Sequence, residues 1–250
     1  MWIATAQRDR AAQMQRHAVI TRKLPREIVL LRSRPCVWGR CTFCDYTDDN
    51  TTDDDLIRRV ADEQLAKVTG RLGRLEIINS GSIQELPPDV QAQIRDLIAK
   101  LGITEFICES HWSYRDRFDE TRAFFKTPTR IKVGVETFDD HLRNNVLEKG
   151  MHFDSIEEVA RATDTICLLV GFRGQTKETV RRDIDLLLKH FRYGCVNLLS
   201  PNSKGADLID ADIKSWFREE FSRLEDHPRI EVLWDNTDFG IGDVSSAIGC

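Results

Sequence analysis

At 250 residues, 41% hydrophobic and 31% charged, the chain has the make-up of a globular protein, long enough to bury a sizeable core in one large α/β domain or two small ones. A formal net charge of −5 argues against a strongly basic nucleic-acid module, but not against a local basic patch. No apolar run approaches the ~18–20 residues of a bilayer span, and Met1-Trp2-Ile3-Ala4 lacks the apolar core of a signal peptide. The seven cysteines are an odd number without the spacing of a disulfide framework, so a reducing cytoplasm is the expected setting.

Residues 5–17 read as a polar helix, followed by a small basic group of Arg22, Lys23 and Arg26. The apolar run Ile28-Val29-Leu30-Leu31 marks a first strand over 27–32. It delivers the chain to Cys36-Val37-Trp38-Gly39-Arg40-Cys41-Thr42-Phe43-Cys44, three thiols within nine residues. A helix over 51–69 opens on Asp53-Asp54-Asp55, acids favoured by the helix dipole, and Gly70 and Gly73 punctuate its end. A second strand over 75–79 ends in Ser80-Gly81-Ser82, and Pro87-Pro88 opens a helix through Lys100. A third strand over 103–108 ends at Glu109, and a helix follows over 113–125. A fourth strand over 131–135 ends at Glu136 and is followed by helices over 139–147 and 155–162. A fifth over 165–170 ends at Gly171-Phe172-Arg173, before a helix over 176–191. A sixth over 195–199 ends at Ser200-Pro201-Asn202, before a helix over 211–224. A seventh over 230–234 runs into Asp235-Asn236-Thr237-Asp238 and a glycine-rich tail.

Strand–helix alternation with near-continuous apolar strands is the signature of a parallel sheet with covering helices. Six or seven such units suit a barrel, a partial barrel or an open sheet, and in each case ligands bind beyond the C-terminal strand ends. No linker or low-complexity segment divides the chain, so 1–250 reads as a single domain, with a core over about 27–208 and a C-terminal extension over about 209–250.

Three thiolates on one loop suit an iron–sulfur cluster, and a four-iron cluster held by three cysteines leaves one iron open to another ligand. Structural zinc wants four ligands, often as paired knuckles. The other cysteines, Cys108, Cys167, Cys195 and Cys250, occur singly and no second Cys-x-x-Cys is present. Spacing alone leaves zinc, and plain buried thiols, beside the cluster. At the same mouth stand Ser80, Gly81 and Ser82, the carboxylates Glu109 and Glu136, Gly171 with Arg173, Ser200 and Asn202, and Asp235, Asn236 and Asp238. Each has a structural alternative: a glutamate can serve a helix cap, Ser-Gly-Ser an ordinary turn, and Asp235 a C-terminal turn.

Cys41-Thr42-Phe43-Cys44 followed by Tyr46 resembles the cluster loop of the radical S-adenosylmethionine (radical SAM) superfamily, although four residues rather than the usual three separate Cys36 from Cys41. Glu109-Ser110, Gly134-Val135-Glu136-Thr137 with Lys149-Gly150, and Gly171-Phe172-Arg173-Gly174-Gln175-Thr176 resemble strand ends of its Elongator-type branch. Asn79-Ser80-Gly81-Ser82 stands where the superfamily has Gly-Gly-Glu, without the glutamate. The resemblance implies an α/β partial (β/α)6-type barrel, a [4Fe–4S] cluster on Cys36, Cys41 and Cys44, and S-adenosyl-L-methionine (SAM) on the open iron. It further implies SAM contacts from Phe43, Tyr46, Ser80, Gly81, Ser82, Glu109, Glu136 and Gly171, and an external electron donor such as flavodoxin or ferredoxin. Within the branch, Ser80-Gly81-Ser82 and Glu109-Ser110 most resemble the radical SAM proteins of 7-deazaguanine metabolism. That group contains the archaeosine-forming subunit, which acts on tRNA, and the queuine lyases, which act on a free base. The negative charge favours a small molecule over a polynucleotide. A guanine-like edge presents adjacent N–H donors that a carboxylate accepts in pairs, which makes Asn202, Asp235, Asn236 and Asp238, with Arg173 nearby, the candidate substrate residues.

Overall fold

The computed structural model describes residues 14–235 and 237–243. Helices begin where the sequence supplies a cap. Asp53 accepts the Leu56 N–H at 3.0 Å and opens α1 (Asp54–Leu65). Proline stands at the first position of α2 (Pro88–Leu101), which Gly102 closes at φ 64°. α3 (Phe118–Phe125) follows a 3-10 turn over Trp112–Arg117. Ser155, Thr176 and Asp210 cap α4 (Ile156–Ala162), α5 (Lys177–His190) and α6 (Ala211–Glu220).

Between these helices lie β3 (Arg26–Leu31), β4 (Arg74–Asn79), β5 (Glu105–Glu109), β6 (Thr129–Glu136), β7 (Thr165–Val170), β8 (Tyr193–Leu198) and β9 (Ile230–Leu233). They are parallel, in sequence order, and curl into a half-barrel; β2 (His17–Ile20) adds an antiparallel edge beside β3. A separate ribbon joins β1 (Met14–Gln15) to β10 (Gly242–Asp243). The expected partial barrel is therefore present, with seven parallel strands.

The N-terminal expectation is corrected. Residues 14–15 and 17–20 are strands, not helix, because Ala18, Val19 and Ile20 pair with β3 and because Arg16 turns inward to a bidentate ion pair with Asp49 at 2.7 and 2.9 Å. Pairing against a neighbouring strand outweighs weak local helix preference. The rest of that stretch, together with Asn236 and Cys250, lies outside the described residues. The expected helix over 139–147 is largely a π turn, Leu142–Val146.

The convex face of the sheet carries the main core. Val29, Leu31, Ile77, Phe106, Val133, Leu168, Val196 and Val232 point outward under the helices and are buried. The concave face is not the continuous apolar surface that the strands suggest. Arg26, Glu76, Lys132 and Glu231 stand on it, and they neutralise one another. Lys132 Nζ donates to Glu76 Oε1 at 2.7 Å, Arg26 pairs with Glu76, and Arg26 also forks onto Glu231 at 2.8 and 3.1 Å. Burial pushes the Glu76 carboxyl up, but Arg26 and Lys132 outweigh it and hold the group at about 2. Because this value lies below the ordinary 4.5, the stabilisation is complete above pH 4.5 and is lost as pH falls toward 2. It is worth on the order of 3 kcal/mol. Glu76→Gln should therefore lower the urea midpoint at pH 7, with the gap to wild type closing over that acid range. A gap independent of pH would show that the charge of Glu76 does not carry the effect.

Candidate active site

The chain leaves β3 into a loop that four other strand ends hold in place. Ser33 N–H donates to Ser80 Oγ at 2.9 Å, and Val37 N–H donates to Glu85 Oε1 at 2.5 Å, tying the loop to the end of β4. Thr42 N–H and Oγ1 donate to the carbonyls of Leu147 and Val146 at 3.1 and 3.0 Å, beyond β6. Asn202 Nδ2 donates to the Phe43 carbonyl at 2.8 Å from beyond β8. Trp38 reaches across to the same segment after β6, giving its indole N–H to the Glu148 carbonyl at 2.6 Å. Its ring lies on Gly150, where a Cβ would fall 2.2 Å from it. His111 from beyond β5 stacks on the ring at 6.0 Å and 6°. Burial, with Lys149 beside it, pushes His111 down to about 4, so the ring is neutral at pH 7. Its Nε2 donates to the Lys149 carbonyl at 3.0 Å, while Nδ1 accepts the Ser113 N–H at 3.2 Å.

Cys36, Cys41 and Cys44 are free thiols, partly buried, in a row along this loop. Cys36 acts on the charge of Cys41, and Cys41 on that of Cys44. Burial raises both Cys41 and Cys44, the latter to about 12, and Lys149 opposes the rise. Lys149, half-buried, donates to the buried Glu136 Oε1 at 2.7 Å. Burial works against its charge, but Glu136 and the two thiols hold its pKa above the ordinary lysine value. A thiol trio facing a cation fits an anionic iron–sulfur cluster, whose irons take thiolates one apiece. Among the described residues no three His, Cys, Asp or Glu side chains close on a single metal ion, as a zinc site requires.

Glu136 itself is unusual. It has φ 66°, in the left-handed region, at an irregularity in the β6–β7 register between Gly134 and Glu136. This folds its carboxylate back over Gly134, where a Cβ would lie 2.3 Å from Oε1 and 2.7 Å from Lys149 Nζ. Glu109 stands one strand away on the concave side, 3.5 Å from Lys132. Burial raises its carboxyl and Lys132 opposes this.

The structure gathers most of the expected residues around the cysteine loop, but it gives several of them other work. Ser80 Oγ is occupied by Ser33, and Ser82 Oγ accepts the His111 N–H at 3.0 Å. Gly81 lies against Glu85, and Tyr46 is exposed. Gly171 gives its N–H to Gln175 Oε1 at 2.8 Å. Ser200 is buried with its hydroxyl on the Leu198 carbonyl. Asn202 Oδ1 accepts from Lys204 and Gly205 N–H groups. Arg173 is exposed and bonds the Asp207 carbonyl at 2.6 Å. Asp235 and Asp238 are exposed and bonded to each other through the backbone. Residues outside the candidate set include Glu85, His111, Lys132 and Lys149, the last of which the sequence reading quotes only within a matched motif. Ser82-Ile83-Gln84-Glu85 is a capping box, legible as such, and its glutamate returns to Ser82 N–H at 2.6 Å while reaching the cysteine loop. Burial raises Glu85, opposed by those N–H bonds.

No family model matches the chain, and no curated protein matches it. Among solved structures, queuine lyase from Clostridium spiroforme, in a structure bound to SAM and queuine, is 44% identical over 92% of this chain and 100% of its own, with a TM-score of 0.90. The chain belongs to the queuine lyase family. Of the 7-deazaguanine proteins that its motifs resemble, the match decides for the queuine lyases, and an enzyme family replaces the alternative of a zinc-binding module. Two further structures share the fold at identities too low to carry more. Coproporphyrinogen III oxidase from Escherichia coli, described as a radical SAM enzyme, has 16% identity over 80% of this chain and 52% of its own, with a TM-score of 0.56. Methylornithine synthase has 14% identity over 96% and 79%, with a TM-score of 0.55. The chain thus shares its partial-barrel fold with these two enzymes.

Proposed function

We propose that this chain is a radical SAM queuine lyase, which cleaves the carbon–nitrogen bond of free queuine and releases 7-aminomethyl-7-deazaguanine (preQ1). The observation that carries the reading is the match along the whole length of a queuine lyase. Cys36, Cys41 and Cys44 hold a [4Fe–4S] cluster, with SAM beside it. When bound, cluster and SAM supply a 5′-deoxyadenosyl radical for hydrogen abstraction from the cyclopentenediol of queuine. The chain's own residues position the partners. Phe43, its carbonyl pinned by Asn202, sits between the last two cysteines beside the Lys149 ammonium, which lies 5.5 Å from its ring. Lys149 offers a cation to the SAM carboxylate, and Glu136 and Glu109 offer acceptors to its hydroxyl and amine donors. Reduction comes from an external one-electron donor such as flavodoxin or ferredoxin, and a reducing cytoplasm suits the exposed loop. Among the described residues no helix is long and apolar enough to cross a membrane.

The test is anaerobic incubation of the reconstituted protein with SAM, dithionite and queuine, followed by mass spectrometry. Expected are 5′-deoxyadenosine and preQ1 formed together, with none from queuosine held in tRNA. Formation of 5′-deoxyadenosine at one rate with and without queuine, and no preQ1, would remove queuine as substrate. Conversion of queuosine to preQ1 nucleoside within tRNA, with no reaction of free queuine, would move the chain to the polynucleotide-acting class.

A further inference from the structure

Beyond β9 Trp234 still packs on the convex core, and the chain reaches the concave side at Phe239. Asp235 N–H donates to Asp238 Oδ2 at 2.9 Å, and Asp238 N–H donates to the Asp235 carbonyl at 3.2 Å. From there the chain crosses to the opposite wall. Phe239 packs against Cys167, Cys195 and Leu233 on β7, β8 and β9, and also in the group of Ile28, Leu30 and Ile78 on β3 and β4. Ile241, 5% exposed, belongs to that second group, after which β10 pairs with β1. Phe239 thus touches both walls, which meet below it where Arg26 on β3 forks onto Glu231 on β9. Arg26 lies 4.9 Å and Lys132 5.8 Å from the centre of the Phe239 ring. Past these cations, at the N-terminal strand ends, the space among Arg26, Arg130, Tyr193 and Glu231 has a volume of about 10 Å³. That is room for one water at most. Nothing the size of a nucleobase passes below the ring.

We propose that Phe239 is the specificity-determining wall of the substrate chamber, the apolar surface against which the flat base of a deazaguanine rests, presented there by a C-terminal segment that closes the open side of the half-barrel. The assignment rests on the queuine lyase reading. It gives a role to an aromatic ring held between apolar residues of both walls and above the buried charged pairs. An aromatic face suits a planar heterocycle.

The SAM-loaded holoenzyme, Phe239→Ala and Phe239→Leu are compared by queuine affinity, KM for queuine, preQ1 formed per 5′-deoxyadenosine, iron content and SAM affinity. Phe239→Ala should weaken queuine binding and raise KM about tenfold, the scale of a lost aromatic contact, and should produce less preQ1 per 5′-deoxyadenosine. Phe239→Leu, which keeps the bulk, should fall between, and iron content and SAM affinity should match wild type in both. Equal queuine affinity and equal coupling in all three proteins overturn the assignment. Tight queuine binding by wild type without preQ1 release overturns the lyase reading instead, and the affinity difference then still supports Phe239 as the wall.

Discussion

Cys41→Ala protein, reconstituted anaerobically with iron and sulfide, is expected to retain no [4Fe–4S] cluster and to form no 5′-deoxyadenosine. Cys41 is the middle thiol of the trio and the one that both Lys149 and Glu136 act on most directly. Without it two thiolates remain for four irons, and among the described residues no other cysteine is placed to replace it. Cys108 faces the convex core, where burial pushes its thiol up, and Cys167 and Cys195 lie on the concave wall with Leu233. A buried, raised thiol is a poor ligand. Cys108→Ala should accordingly keep full iron and sulfide content and lose only stability. Iron and sulfide analysis with the brown absorbance reads both variants. A complete cluster in Cys41→Ala, or its loss in Cys108→Ala, would sink the ligand assignment.

The second large effect is expected from Lys149→Met. The substitution keeps the length and apolar stem but leaves the Glu136 carboxylate, 5% exposed, without the ammonium now 2.7 Å away. Removing one partner of a buried pair costs about 3–5 kcal/mol, because the remaining charge is left unsolvated. The backbone adds to the effect, since Glu136 stays at φ 66° only while its surroundings over-determine it. Chemical denaturation measures the loss. Glu136→Gln combined with Lys149→Met should recover part of the stability, because no charge is then stranded. It should not recover cluster yield or SAM affinity, because the cation facing Cys41 and Cys44 remains absent. If the double variant regains both, Lys149 acts only as a partner of Glu136. If Lys149→Met is no less stable than wild type, the pair is not the buried unit described.

The site was legible in the chain to an uneven degree. The cysteine loop and the strand ends Glu109 and Glu136 follow from local pattern, because strand–helix alternation sets which residues fall at the C-terminal ends and those ends converge. Capping residues such as Asp53, Thr176 and Asp210 are equally local, and the helices start where they stand. The polar lumen was not legible. In β6, Ile131-Lys132-Val133-Gly134-Val135 reads as mostly apolar, yet Lys132 points to the concave side and its charge is balanced from β4 by Glu76, 56 positions away. The candidate readers of the base, Asp235 and Asp238, stand exposed and bond each other. The ring that enters the concavity comes one residue later, at Phe239.

Residue spacing was enough to establish the thiol trio, the order of seven strands and the mouth that they share, since these depend on periodicity and on the chemistry of near neighbours. The antiparallel edge strand, the Glu136–Lys149 pair, the Trp38–Gly150 contact and the crossing of the C-terminal segment depend on which distant segments meet. No local preference encodes those meetings: they are set by the curl of the sheet, which brings residues 110 positions apart, such as Trp38 and Glu148, within hydrogen-bonding distance.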